Sequence, residues 1–363
     1  MSDVSKPTEW RYGRLLSDFK PGETYEHPWQ VTIDGGTIAL FQASFLDATP
    51  MYSSAVFARS LGLKDRPLHP LLCLNLGLSF SVHDVSEQAI AHLAYIDVRF
   101  PEAGYAGDTV HASSTVLDVK PSSAGDKGVV HVRTVLWNEH DHVLCAFERK
   151  ALIRAGKLES RPSWEPISYI DTPRVQDFPA VPKELVDGGE VGFGPFAEDF
   201  KIGQVFTHAI GKTVGESEHM QLTALVRNSH PLHFDEIYCK DNSFTKQRVV
   251  YGGLVLSWVA TLSSRDLCGQ AVWEAGLDAG AHPNGVVGGD TLYAASKVVS
   301  VEDGAPGFSR VTFRLVGVKN KTSAQAYAEH GDALFADELS KKENKLKEKV
   351  VEITRTVYVR RRS

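Results

Sequence analysis

Residues 213–254 read TVGESEHMQLTALVRNSHPLHFDEIYCKDNSFTKQRVVYGGL, and the way this stretch must bend decides the fold. Thr213 followed three residues later by Glu216 predicts a capping box, in which each side chain satisfies a backbone N–H of the first turn. Apolar residues at Met220, Leu222, Leu225 and Val226 carry the helix forward. Asn228-Ser229-His230-Pro231 ends it, because the ring of Pro231 drives His230 out of the helical region. Beyond the turn lie Leu232, His233, Phe234 and Asp235, and then Val249-Val250-Tyr251 leads into Gly252-Gly253 and a second apolar run through Leu254, Trp258 and Leu262.

The first N–H groups of a helix have no partner within it and sit at the positive end of its dipole, so an oxygen placed there is stabilised as it gains negative charge. Glycine lets the backbone come that close. His233 on the preceding turn is of a type that titrates near neutrality and can move a proton to or from a carbon or water beside that oxygen. The same local pattern also suits a packed turn histidine and a tight helix entry.

At 363 residues the chain is long enough for two domains, and its 42% hydrophobic and 23% charged content is that of a globular protein. A net charge of −6 argues against a nucleic-acid or anionic-membrane partner. Cys73, Cys145, Cys239 and Cys268 form no C-x-x-C pair, which fits reduced thiols rather than a zinc or disulfide framework. The opening MSDVSKPTEWRYGR has no apolar core of signal-peptide length, and no apolar run has membrane-spanning length, so the expected location is the cytoplasm.

The chain repeats itself. Asp18-Phe19-Lys20-Pro21-Gly22 recurs as Asp199-Phe200-Lys201-Ile202-Gly203, an offset of 181, the difference between 199 and 18. Thr32-Ile33 over Thr213-Val214 and Asp47–Tyr52 over Asn228–His233 keep that offset, and Gly107–Ala112 over Gly289–Ala294 shifts it by one residue. Two copies of one fold are expected, at 1–157 and 191–363, each a helical region followed by an antiparallel sheet. The final strands are expected around 129–137 and 143–147 in the first copy, and around 311–316 and 350–354 in the second. Between the copies, 158–190 carries five prolines and the aromatics Trp164, Tyr169 and Phe178, and reads as an ordered crossing linker. Ser340–Val350 reads as a charged connector between strands.

The copies differ where the chemistry is expected. Tyr52 stands at the place of His233, and His69, Pro70 and Leu71 stand at those of Tyr251, Gly252 and Gly253. The first copy thus loses the imidazole and, because proline has no N–H, an oxyanion donor, while keeping the carboxylate of Asp47. The expectation is a catalytically degenerate first copy beside a catalytic second one.

The H-P-L-H-F-D turn, the V-Y-G-G helix entry and the later G-D-T-L strand resemble the MaoC-like hydratases, hot-dog-fold enzymes that include the R-specific enoyl-CoA hydratases. The two-copy layout is similar to the double hot-dog branch, an α+β fold of two tandem repeats, each an antiparallel sheet wrapped around a central helix. Within it, E-S-E-H-M-Q, the Asn-to-His spacing and R-x-V-Y-G-G resemble the mesaconyl-CoA (2-methylfumaryl-CoA) hydratases, also called methylmalyl-CoA dehydratases. The resemblance implies reversible hydration of a 2-enoyl-CoA thioester, with coenzyme A entering as part of the substrate and no metal or redox cofactor.

In the R-specific enzymes the motif is D-x-N-P-L-H, and both the aspartate and the final histidine are catalytic. Here the resemblance places the histidine at His233, Asn228 at the aspartate and His230 at the asparagine. Asn228 cannot take a proton, so the expectation is His233 as general base and acid and Asn228 as a water-orienting amide. Gly252 is the expected oxyanion donor, with Gly253 supporting the turn and Tyr251 and His230 against the substrate. A substrate bearing a second carboxylate calls for a cation, for which Arg248 is the first candidate and Arg227 the second. The coenzyme A cleft is expected between the copies, with His282-Pro283-Asn284 and Asp290-Thr291 as possible walls. Alternatives are an R-specific hydratase for unbranched chains, a thioesterase of the same fold, and a non-catalytic acyl-CoA-binding protein. A monomer or homodimer is expected, because one chain already contains the pair that single-copy relatives make by dimerising.

Overall fold

A computed structural model of the protein describes residues 11–158, 167–168, 171–186, 192–338, 341 and 345–362. Trp164 and Tyr169 of the expected linker, and residues 340 and 342–344 of the expected connector, lie outside the described residues.

The same elements occur twice, in the same order. Each copy opens on two short strands, Thr24–Glu26 and Val31–Thr32 in the first and Val205–Thr207 and Lys212–Thr213 in the second. A surface helix follows (Gly35–Phe45; Glu216–Leu225), and after a winding segment comes a buried helix (Pro70–Phe80; Gly252–Leu262). Four long antiparallel strands complete each copy: Ala89–Arg99, Thr109–Pro121, Lys127–Asn138 and Val143–Arg154, then Ala271–Ala281, Thr291–Asp303, Phe308–Lys319 and Lys349–Arg360. The expected final strands are all present and longer than their apolar centres. Between Phe308–Lys319 and Lys349–Arg360 the second copy inserts a helix, Ser323–His330, which displaces the last strand from the earlier offset.

Every residue of Pro70–Phe80 is buried, and so is every residue of Gly252–Leu262 except Gly252. A helix that is apolar all round has no face to offer water and must sit inside a wrapped sheet. The two buried helices touch at repeat-equivalent residues, the Nδ2 of Asn75 donating to the Oγ of Ser257 at 2.8 Å. Outside them the strands form one continuous sheet, whose two halves join where Ala89–Arg99 pairs antiparallel with Ala271–Ala281. The registers Leu277 to Val98 and Gly280 to Tyr95 fix that seam.

One local expectation is corrected. Thr213 is the last residue of a short strand and its hydroxyl bonds Thr291 at 2.7 Å, so it does not cap the helix. The helix begins at Glu216, and Glu218 reaches back to accept from the N–H of Gly215 at 3.3 Å. The box is shifted by two residues because strand pairing outcompetes local capping at Thr213.

Candidate active site

A cavity of about 210 Å³ opens between the copies. From the second copy come Asn228, His230, His233, Tyr251, Gly252, Gly253, His282 and Asn284, and from the sheet of the first come Ala89, His92, Tyr95 and Arg149. The helix stop at Leu225 and the single turn of 3-10 helix at Pro231–His233 bring Asn228 and His233 to one wall.

His233 is buried, and its Nδ1 lies 2.7 Å from the carbonyl oxygen of Val249. A carbonyl only accepts, so Nδ1 carries the proton and Nε2 is the free basic nitrogen. Burial lowers its pKa to about 4, keeping the ring neutral at physiological pH. Asn228 accepts from the N–H of His230 at 2.9 Å through its Oδ1. That leaves the NH2 group as its remaining donor, in the cavity wall that also holds Tyr251. Asn228 therefore offers a donor to this wall.

His230 accepts from the N–H of Leu232 at 3.1 Å through its Nδ1. Burial lowers it to about 3. Its Nδ1 fixes the turn, and the ring lines the cavity.

The N–H groups of Gly252 and Gly253 have no acceptor among the described residues, and they begin the buried helix beside His233. A Cβ on Gly252 would lie 2.9 Å from the Nε2 of His282, and one on Gly253 2.2 Å from the Oδ1 of Asn75. Glycine is required at both positions by close approach. His282 donates from Nδ1 to the carbonyl of Val350 at 3.2 Å and accepts from the hydroxyl of Tyr95 at 3.0 Å. It closes the cavity over the helix entry, as Asn284 does beside it; Asp290, by contrast, is tied to Lys319 and Asn320 and does not line the cavity.

Arg248 is a correction. It ion-pairs with Glu216 at 3.2 Å and Glu236 at 3.3 Å and does not line the cavity. Arg227 is exposed in the left-handed region. The cation that does line the cavity is Arg149, on strand Val143–Arg154 of the first copy.

In the first copy Tyr52 stands at the place of His233, and His69 caps the buried helix at the place of Tyr251. The His69 imidazole is held inside this copy, with Nε2 3.4 Å from the carboxylate of Asp47 and Nδ1 accepting from the N–H of Leu71. Tyr52 packs on it at a ring-centroid distance of 4.6 Å and Phe41 at 5.3 Å. All four side chains are buried. The space that the second copy leaves open is filled here.

Among the described residues, one grouping has metal-like spacing, Glu329, His330 and Glu348, and Lys321 ion-pairs with both carboxylates. No helix of the described residues is long and apolar enough to cross a membrane.

Residues 5–336 match the family model for mesaconyl-CoA hydratase. The chain is 33% identical over 321 residues to a mesaconyl-CoA hydratase of Cereibacter sphaeroides, covering 85% of this chain and 90% of that one. It is 31% identical over 297 residues to a beta-methylmalyl-CoA dehydratase of Chloroflexus aurantiacus, covering 79% and 82%. A crystal structure of a MaoC domain protein dehydratase from Chloroflexus aurantiacus superposes over the whole of both chains with a TM-score of 0.81 at 27% identity. With two fused hot-dog repeats, an unblocked helix entry and a basic imidazole in one cavity, the chain belongs to the mesaconyl-CoA hydratase family.

Proposed function

We propose that the protein catalyses reversible hydration of mesaconyl-CoA to 3-methylmalyl-CoA. The observation that carries this reading is the meeting of the bare Nε2 of His233 with the unpartnered N–H groups of Gly252 and Gly253 in one cavity. Conjugate addition needs a base beside the water and donors at the thioester oxygen, and little else.

In the hydration direction the thioester carbonyl sits at the N–H of Gly252. His233 takes a proton from water as the oxygen adds to the β-carbon, and electrons move through the α-carbon onto the thioester oxygen, which the helix entry stabilises. The imidazolium then returns the proton to the α-carbon. Asn228 has no acidic proton to give, so His233 serves both steps, and the Asn228 NH2 holds the water oxygen. The pantetheine arm enters between the copies. In this reading the first copy is catalytically degenerate, the linker spans about 158–190, coenzyme A is carried by the substrate, and the enzyme works in the cytoplasm as a monomer or homodimer.

The test is loss of enoyl-thioester absorbance on mixing the protein with mesaconyl-CoA. Rapid loss, abolished in His233→Ala, supports the reading. Faster turnover of crotonyl-CoA would move the assignment to hydratases of unbranched chains, and release of free thiol would make the protein a thioesterase.

A further inference from the structure

Arg149 is buried, and among the described residues no carboxylate pairs with it. Its hydrogen bonds go to hydroxyls, from Nη2 to Ser81 at 2.7 Å and from Nη1 and Nη2 to Ser86 at 3.3 Å, and its Nε has no partner. A buried guanidinium without a counter-ion is costly unless something supplies the charge.

The repeat shows what the missing charge would be. Strand Val143–Arg154 corresponds to Lys349–Arg360, which puts Arg355 at the place of Arg149. The registers agree, since Arg149 lies opposite Tyr95 and Arg355 opposite Leu277, its equivalent. The serine is repeated too, Ser263 for Ser81, with Arg355 bonding Ser263 at 3.1 Å. Here, however, Arg355 makes a two-pronged pair with Glu274, at 2.7 Å from Nη2 and 3.0 Å from Nε.

The residue equivalent to Glu274 on strand Ala89–Arg99 is His92. Both of its ring nitrogens are buried without a partner, and burial holds it far below the ordinary histidine pKa, so it brings no negative charge. Thus the closed site carries its own carboxylate on the arginine, and the open cavity keeps the arginine but replaces the carboxylate with a neutral ring.

We propose that Arg149 is the specificity residue that binds the second carboxylate of the substrate, in the place that Glu274 fills for Arg355. The inference rests on the enoyl-thioester reading of the cavity and adds the group that selects a dicarboxylic acyl chain. In mesaconyl-CoA that carboxylate sits on the β-carbon, so pairing it with Arg149 also fixes the carbon that water attacks.

The test compares mesaconyl-CoA with tiglyl-CoA, which has the same carbon skeleton with a methyl group in place of the carboxylate. Two variants are made: Arg149→Gln removes the charge, and His92→Glu supplies the internal carboxylate of the other copy. Each should lose at least 100-fold in kcat/KM on mesaconyl-CoA and less than 10-fold on tiglyl-CoA, and His92→Glu should keep or raise Tm. Equal losses on both thioesters in folded variants would overturn the proposal. Calorimetric binding in a His233→Gln background separates it from the hydratase reading. An inert wild type whose preference for mesaconyl-CoA vanishes with Arg149 would refute the hydratase and uphold the subsite, whereas active protein whose binding preference survives Arg149→Gln would refute the subsite alone.

Discussion

The Nδ1 of His233 lies 2.7 Å from the carbonyl oxygen of Val249. That contact fixes the ring's tautomer and leaves Nε2 as a proton acceptor without any carboxylate behind it. Removing the imidazole should therefore cost what one general acid–base group contributes, about 10²- to 10⁴-fold in kcat. His233→Gln, which keeps most of the packing, should lose as much rate as His233→Ala while losing less Tm, as read by enoyl-thioester absorbance and thermal melting.

Acid should weaken the fold before it silences the base. His233 and His230 are held at about 4 and about 3 by burial, below the ~6.5 of an unfolded histidine. The unfolded chain thus binds more protons between those limits, and stability falls as pH drops from about 6.5 toward 4, by roughly 1 kcal/mol per pH unit for each ring. These two rings alone should contribute about 3 kcal/mol to the difference in urea unfolding between pH 7 and pH 5, and the neutral His282 adds to it in the same direction. Meanwhile kcat/KM for the free enzyme should stay flat down to about pH 5, because His233 remains neutral. A kcat/KM that halves near pH 6.5 would show the ring to be less buried than described.

Gly253→Ala should destabilise the protein by crowding two side chains, Asn75 above all. Its Cβ would lie 2.2 Å from the Oδ1 of Asn75 and 2.8 Å from the hydroxyl of Tyr251. Overpacking of this kind costs about 1–3 kcal/mol. Adding Asn75→Ala removes the nearer atom, so the double variant should melt above the sum of the single effects, a coupling that a thermal double-mutant cycle measures directly.

The two arginines should respond oppositely to loss of charge around them. Glu274→Gln leaves Arg355 buried beside a neutral amide, and breaking such a pair costs about 3–5 kcal/mol. Arg149→Met removes a buried charge that has only hydroxyl partners, so it should leave Tm unchanged or raise it. Equal destabilisation in differential scanning calorimetry would contradict the contrast.

The repeat was legible because its punctuation survives: the aspartate-phenylalanine-lysine entry and the glycine-aspartate-threonine strand start mark equivalent turns, and turns depend on few residues. His233 and the glycine pair were legible for the same reason, lying within twenty residues of each other around one turn and one helix start. Arg149 was not, although a signal exists. Phe147, Arg149, Ala151 and Ile153 are buried while the residues between them are half-buried, so the arginine occupies an inward position of an alternating strand. Glu148-Arg149-Lys150 instead resembles a solvated charge run that ends the strand. Its pairing with a cavity of the other copy is a tertiary fact that no local window contains. Arg248 drew attention by standing three residues before Tyr251, but closeness along the chain says nothing about Glu216 and Glu236, which claim it from two other helices. Strand Ala89–Arg99 shows no regular alternation, because three irregularities in its pairing interrupt the pleat, and His92 was hidden with it.

The seam between Ala89–Arg99 and Ala271–Ala281 joins two copies encoded by one chain. In a dimer of identical subunits every heritable change appears at both sites at once, so exchanging glutamate for histidine beside the arginine would open or close both together. Fusion lifts that coupling. One site is filled by His69, Tyr52 and Glu274 while its twin keeps an arginine without a carboxylate and an open wall, an asymmetry that only a fused chain can encode.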